Sequence, residues 1–170
     1  MKRLAALLLL PMMATAGELE QGKAIAAEFK GELMQTLKSA IAEGGPVNGI
    51  SVCNSAAGPL ADTLAQRHGV KLGRIGTRTR SPANAPQPWQ EQLLAAVEQE
   101  PQPQLLTIDG HQLYAEPLFI QKPCLACHGE PKAEVKAALD LHYPNDQATG
   151  YALGDLRGVL WVELGKQKAQ

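Results

Sequence analysis

Residues 105–120, LLTIDGHQLYAEPLFI, contain the pattern that decides the fold. Apolar and β-branched residues lie on both sides of Asp109-Gly110, and an Asp-Gly pair is typical of a tight two-residue turn between antiparallel strands. The segment therefore predicts a β-hairpin. Residues 70–77 and 158–164 also read as strands, so we expect the hairpin to belong to a larger antiparallel sheet.

Helical patterns surround these strands. In residues 18–43 an apolar side chain recurs every four positions, which predicts a long N-terminal helix; these side chains are Ile25, Phe29, Leu33, Leu37 and Ile41. Gly44-Gly45-Pro46 ends it, and residues 47–68 predict a second helix with a break at Pro59. Shorter helices are predicted for 89–99 and 133–141, an extended loop for 78–88, a Cys-rich loop for 122–130 and turns for 143–158. This order of elements favours the α+β class.

Length and charge exclude several classes of protein. The 170 residues are enough for one domain, which we place at residues 17–170. Sixteen basic against 17 acidic residues give a net charge of −1, so there is no basic excess for nucleic-acid binding. Aromatic residues make up only 4%, too few for a platform that stacks bases.

The first 16 residues, MKRLAALLLLPMMATA, have the pattern of a signal peptide. Lys2 and Arg3 precede a short apolar run, and Ala14-Thr15-Ala16 is a small-residue cleavage site. Because the run is too short to span a bilayer and no other stretch approaches that length, no stable membrane insertion is expected. The sequence predicts export, cleavage after Ala16 and a soluble, periplasmic product.

Cys124-Leu125-Ala126-Cys127-His128 is a C-x-x-C-H motif, the attachment signature of haem c. The two thiols at this spacing reach the two vinyl groups of one porphyrin, and the next residue, His128, then becomes the proximal iron ligand. One motif implies one covalently attached haem per chain. A redox-active disulfide and a zinc site are the alternatives, but zinc usually needs four ligands and the sequence has no second Cys pair.

The sixth iron ligand is open on residue chemistry alone. Methionine is common in cytochromes c, and Met34 is the only methionine that survives cleavage after Ala16. Histidine candidates are His68, His111 and His142. Cys53 is the odd cysteine of an exported chain and is either a small buried residue or a thiolate ligand.

Several further stretches resemble the PAS-like mono-haem c-type cytochromes, a family known as an exported haem-binding domain. They are 50–53 (ISVC), 78–86 (RTRSPANAP) with Trp89, 114–118 (YAEPL) with the motif, 143–151 (YPNDQATGY) and 154–158 (GDLRG). The resemblance covers residues 20–165. One departure is Ser81, where the family pattern has asparagine; Ser forms the corresponding turn more weakly.

The resemblance implies a PAS-like antiparallel sheet flanked by helices. It also implies His128 and Cys53 as the two axial ligands, which leave no open iron position. The expected function is then electron transfer or haem-based redox sensing with a separate redox partner protein, and not catalysis. The alternatives are a small peroxidase-like haem enzyme with an open iron position and a thiol–disulfide exchange protein.

Anionic haem propionates need cationic partners, and guanidinium groups match carboxylates well. The candidates in segments expected to surround the haem are Arg74, Arg78, Arg80 and Arg157. Tyr143 and Tyr151 are expected either to pack on the porphyrin or to fill the core.

Overall fold

The computed structural model of the protein describes residues 12–166, with side chains described for 16–165. Its helices are α1 (Met12–His68), α2 (Pro88–Gln99), α3 (Leu125–His128) and α4 (Ala133–His142). Its strands are β1 (Lys71–Ile75), β2 (Gln104–Ile108), β3 (His111–Phe119) and β4 (Leu156–Lys166). The predicted α+β class, with an antiparallel sheet flanked by helices and a long N-terminal helix, is confirmed.

The predicted signal peptide falls mainly on residues 1–11, which lie outside the described residues. Residues 12–16 form the first turn of α1. Export and cleavage therefore stay predictions. Within residues 12–166, no helix is both long and apolar enough to cross a membrane.

Helix α1 consists of two helical segments joined by a kink. Gly44 and Gly45 leave the helical region, and Gly45 has φ 70° and ψ −173°, a conformation open to glycine alone. Pro46 follows in the first turn of the second segment. The N–H groups of a first helical turn have no partner within the helix, so a proline there costs no hydrogen bond. The two predicted helices and their boundary are confirmed.

The predicted break at Pro59 is wrong, because the second segment of α1 runs through it to His68. Leu60 and Leu64, which follow the proline, pack against the sheet, and Leu64 is fully buried. Tertiary packing of an apolar face supplies most of the stability of a protein helix, so it holds this segment together despite the lost hydrogen bond.

The four strands form one antiparallel sheet in the order β1-β4-β3-β2. The predicted hairpin is β2–β3, with Ile108 paired to His111 across the turn. Asp109 and Gly110 both have positive φ, 50° and 77°, as a type I′ turn requires. The tight turn predicted from Asp109-Gly110 is confirmed.

Alternate side chains of the central strands reach the two faces of the sheet. Tyr114 and Leu160 pack on one face against Phe29 of α1, whereas Leu113 and Val159 pack on the other against α2. Gly22 of α1 lies so close to the sheet that a Cβ atom there would be 2.3 Å from the Cβ of Tyr114. The first segment of α1 is thus packed directly onto β3.

Residues 122–130 are predicted as a loop, and this is wrong in part. Lys122–Cys124 form a 3-10 turn and Leu125–His128 form the single helical turn α3. Residues three apart on a helix lie on the same side, so the turn brings the two motif cysteines together. The local pattern carried no apolar periodicity long enough to indicate a helix.

Candidate functional site

The two motif thiols are free and half-buried at the turn α3. Cys124 packs against a buried cluster that contains Ile120 and Tyr151, and Cys127 packs against one that contains Ile50 of α1 and Leu139 of α4. Burial raises the pKa of the Cys127 thiol.

His128 has the orientation of a metal-binding imidazole. Its Nδ1 donates a hydrogen bond to the backbone oxygen of Ala148 at 2.7 Å, which fixes the tautomer and leaves the lone pair on Nε2. Burial, with a contribution from the positive charge of Arg80, lowers the pKa of His128 to about 4. The ring is therefore neutral at neutral pH, as a metal ligand must be.

The backbone oxygen that orients His128 is held in place by an ion pair. Asp146 accepts the Ala148 N–H at 2.8 Å through Oδ1 and the Arg80 Nε–H at 3.1 Å through Oδ2. The Arg80 guanidinium also donates to the Cys127 oxygen at 2.6 Å. Arg80 and Asp146 thereby connect the motif to the 146–148 loop, and both side chains are nearly buried.

Cys53 lies on the second segment of α1 and is half-buried. Burial raises the pKa of its thiol, the positive charges of Arg74 and Arg80 lower it, and the Cys127 thiol raises it. Cys53 is therefore within electrostatic range of the motif. Ile50, one turn earlier, shares a buried cluster with Cys127, and Asn54 donates to the His142 oxygen at 3.2 Å.

Comparisons with known proteins identify the family of this chain. The family model Tll0287-like matches residues 5–164. The chain belongs to the Tll0287-like family. Among solved structures, the crystal structure of the cyanobacterial haem protein Tll0287 matches with a TM-score of 0.62 and 25% identity, over 84% of this chain and 94% of that chain. No curated protein matches. The resemblance inferred from the sequence is confirmed at the level of the family.

Two histidines considered as sixth ligands are engaged by carboxylates in this Tll0287-like chain. Nε2 of His68 lies 2.7 Å from Glu28, and Nδ1 of His111 lies 2.7 Å from Glu163. Met34 is 41% exposed on α1. His142 ends α4, and its backbone oxygen accepts a hydrogen bond from Asn54, the residue after Cys53.

Three of the four predicted arginines contact the motif or Tyr151 beside it, and Arg74 contacts Phe29 of α1 instead. Arg78 lies over the Tyr151 ring at 3.9 Å, and Arg157 lies 5.5 Å from the same ring and donates to the Arg78 oxygen. Arg80 pairs with Asp146, and Arg74 lies over the Phe29 ring at 5.6 Å.

The donor set fits a porphyrin better than a bare ion. Across residues 12–166, no group of three or more His, Cys, Asp or Glu side chains could hold a metal ion, which speaks against zinc. A haem brings four nitrogen donors of its own and needs one or two from the protein. His128 Nε2 supplies one, two free thiols lie within one turn of it, and unpaired guanidiniums are available to its propionates.

Sequence reasoning missed Asp146 and Ala148 as individual site residues. The contribution of Ala148 is a backbone oxygen, which has no side-chain signature. Asp146 is recognisable only through its ion pair with Arg80, 66 positions earlier in the chain.

Proposed function

We propose that this protein is an exported mono-haem c-type cytochrome that transfers single electrons or senses redox state. Haem c is attached through Cys124 and Cys127, with His128 and Cys53 as axial ligands. The observation that carries the proposal is the orientation of His128, whose Nδ1 is bonded to a backbone oxygen while Nε2 is left to bind iron.

The covalent attachment is supported by the position of the thiols relative to the imidazole. Cys124 immediately precedes the helical turn that His128 ends, Cys127 lies within that turn, and both thiols are free. A haem bound here supplies the one-electron Fe(III)/Fe(II) couple. The chain's residues keep His128 neutral, fix its ring through Ala148 and anchor the motif through Arg80.

Cys53 is proposed as the distal ligand because it combines burial with two nearby guanidiniums. Burial raises the pKa of the Cys53 thiol overall, and the positive charges of Arg74 and Arg80 offset this in part. Thiolate ligation stabilises Fe(III), so the reduction potential is expected to be low. With two protein ligands the iron has no open position, which favours electron exchange over peroxide chemistry.

The direct test is a spectrum of the haem-loaded protein, produced in a host that matures cytochromes c. Wild type should carry the mass of one covalent haem and give a low-spin ferric EPR signal typical of thiolate ligation. Cys53→Ala should lose that signal, and the matched variant His142→Ala should keep it.

Each alternative has its own outcome in this test. A wild-type EPR signal typical of two histidine ligands, lost in His142→Ala and kept in Cys53→Ala, would assign the distal ligand to histidine. A high-spin, five-coordinate wild type that turns over peroxide would favour a haem enzyme instead. A colourless protein with the mass of the bare polypeptide would overturn the proposal.

Electron transfer and sensing differ in what reduction does to Cys53. A carrier keeps both ligands in both states, whereas a sensor releases one, and Fe(II) holds thiolate less well. Carbon monoxide binding to the reduced protein at micromolar concentration would indicate release of Cys53. No binding would favour a simple carrier, with a separate protein as its redox partner.

Export to the periplasm is proposed from the N-terminal sequence. Mass analysis of the protein recovered from the periplasmic fraction should give a chain that begins at Gly17. Recovery of the unprocessed chain from the cytoplasm would contradict it.

A further inference from the structure

The first segment of α1 presents a stripe of small and apolar residues to solvent, interrupted by one lysine. Six residues at alternating intervals of three and four form this outer stripe: Ala24, Ala27, Gly31, Met34, Lys38 and Ile41. All six are exposed, and Met34 and Ile41 keep 41% and 38% of their surface in contact with solvent. With 3.6 residues per turn, the stripe lies opposite Ile25 and Phe29, which are buried against the sheet.

The spacing of the outer stripe is the one that lets two helices pack side by side. Alternating intervals of three and four residues keep one seam of a helix facing its partner over many turns. From residue 24 to residue 41 the seam is about 26 Å long. A Cβ atom on Gly31 would meet nothing within 4 Å in the described part of the chain. The structure therefore leaves this seam without a partner helix among the described residues.

The two halves of the outer stripe differ in size, and each half complements the other. The N-terminal half is small and the C-terminal half is large. When two copies of the helix run antiparallel about a two-fold axis midway along the stripe, each large residue of one copy faces a small residue of the other. These pairs are Ile41 with Ala24, Lys38 with Ala27, and Met34 with Gly31. A glycine without a Cβ atom allows close approach, and a flexible methionine adapts to the space above it.

The charges along α1 favour the antiparallel arrangement over a parallel one. The lysines of the first segment that form ion pairs among the described residues are Lys23 and Lys30. Lys38 is exposed, and in the antiparallel arrangement its aliphatic stem covers Ala27 while its ammonium group reaches water. In a parallel arrangement Lys38 would face the same lysine of the second copy, and facing like charges are unfavourable.

We propose that the outer stripe is the interface of a homodimer, in which the first segments of α1 from two copies pack antiparallel. The occupant of this face is a second copy of the chain. Two-fold dimers use the same patch on both subunits, so the patch must complement itself, as the two halves of this stripe do. The interface contains no residue of the C-x-x-C-H motif and is independent of the proposed function.

The test is sedimentation equilibrium of the protein purified from a host that matures cytochromes c, at concentrations from about 1 μM to about 1 mM. Wild type should pass from monomer to dimer in this range. Met34→Glu should weaken association by about a hundredfold or more, because each dimer loses two apolar contacts and gains two buried carboxylates. The matched control is Leu141→Glu, a 77% exposed leucine on α4, which should associate like wild type. Circular dichroism verifies that both variants fold.

A charge reversal tests the register of the pairing. Ala27→Lys places two lysines against each other at two points of the interface and should weaken association by about tenfold or more. Adding Lys38→Glu converts both contacts into opposite charges and should restore the dimer. Ala95→Lys, at an exposed alanine of α2, is the matched control and should have no effect.

Four results would overturn the inference. Wild type that stays monomeric at the highest concentration has no such interface. A dimer that Met34→Glu leaves intact is held by another surface. If Lys38→Glu does not rescue Ala27→Lys, the two helices do not pair antiparallel in this register. A monomer that co-sediments with phosphatidylcholine vesicles, and loses this binding in Met34→Glu, would assign the outer stripe to a membrane surface instead.

Discussion

Replacing Asp146 by asparagine tests whether the ion pair with Arg80 holds the site together. The two side chains are 8% and 12% exposed. Removing one partner of a buried ion pair costs about 3–5 kcal/mol. Because asparagine keeps one acceptor, worth about 1 kcal/mol, we expect Asp146→Asn to lower the free energy of unfolding by about 2–4 kcal/mol.

The matched control is Asp140→Asn, which removes the same charge from an exposed ion pair. Asp140 and Lys136 lie one helical turn apart, 3.3 Å from each other, and both are about two-thirds exposed. Such pairs contribute about 0.3–0.5 kcal/mol. Urea unfolding of both haem-loaded variants, followed by circular dichroism, gives the comparison.

If Asp146→Asn lowers the free energy of unfolding by no more than Asp140→Asn does, the ion pair of Asp146 with Arg80 does not hold the site together. The same variant has a spectroscopic consequence. Since Asp146 fixes the Ala148 segment that orients His128, Asp146→Asn should broaden the low-spin EPR signal, and Asp140→Asn should not.

Four further substitutions test the fold around the site. Gly22→Ala should destabilise the protein by about 1–3 kcal/mol, because the added Cβ would clash with Tyr114. Gly31→Ala should stabilise α1 by about 0.5–1 kcal/mol, because nothing lies within 4 Å of its Cβ position. Equal effects of the two substitutions in urea unfolding would contradict the close packing of Gly22 on Tyr114. Gly45→Ala should cost about 1–3 kcal/mol, since φ 70° and ψ −173° are strained for alanine, and an unchanged unfolding midpoint would contradict the kink. Burial raises the pKa of Glu163, but the hydrogen bonds from its histidine and lysine neighbours outweigh this and lower it overall. The stability that it contributes is present above the unfolded pKa of about 4.3 and is lost as the pH falls through the folded value. Glu163→Gln should therefore flatten the acid limb of the stability–pH curve, and an unchanged limb would contradict the pairing.

Local patterns predicted the elements that depend on near neighbours in the chain. Asp109-Gly110 specifies its turn because both residues tolerate positive φ, and Gly44-Gly45-Pro46 ends a helix for similarly local reasons. Pro59 shows where such reasoning fails. The proline destabilises the helix locally, yet the segment stays helical because Leu64 packs on a sheet whose strands lie elsewhere in the chain.

The candidate site likewise has one part that local sequence predicts and one part that it does not. The motif is local, since the spacing of Cys124, Cys127 and His128 is itself the chemical signature. Which arginines are engaged and which stay unpaired depends on contacts such as Arg80 to Asp146, formed between residues far apart in the chain. No periodicity or composition encodes those pairs.

The amino-acid sequence by itself determined the α+β class, the hairpin and the C-x-x-C-H motif, because each follows from patterns of residues near one another in the chain. Only the tertiary structure decided that the His128 ring is turned by the Ala148 oxygen, that Cys53 lies in the electrostatic field of the motif, and that Arg74 and Arg157 lack carboxylate partners within the described residues. These properties arise when the long α1, the sheet and the 146–148 loop pack together, and desolvation and charge act through space and not along the chain.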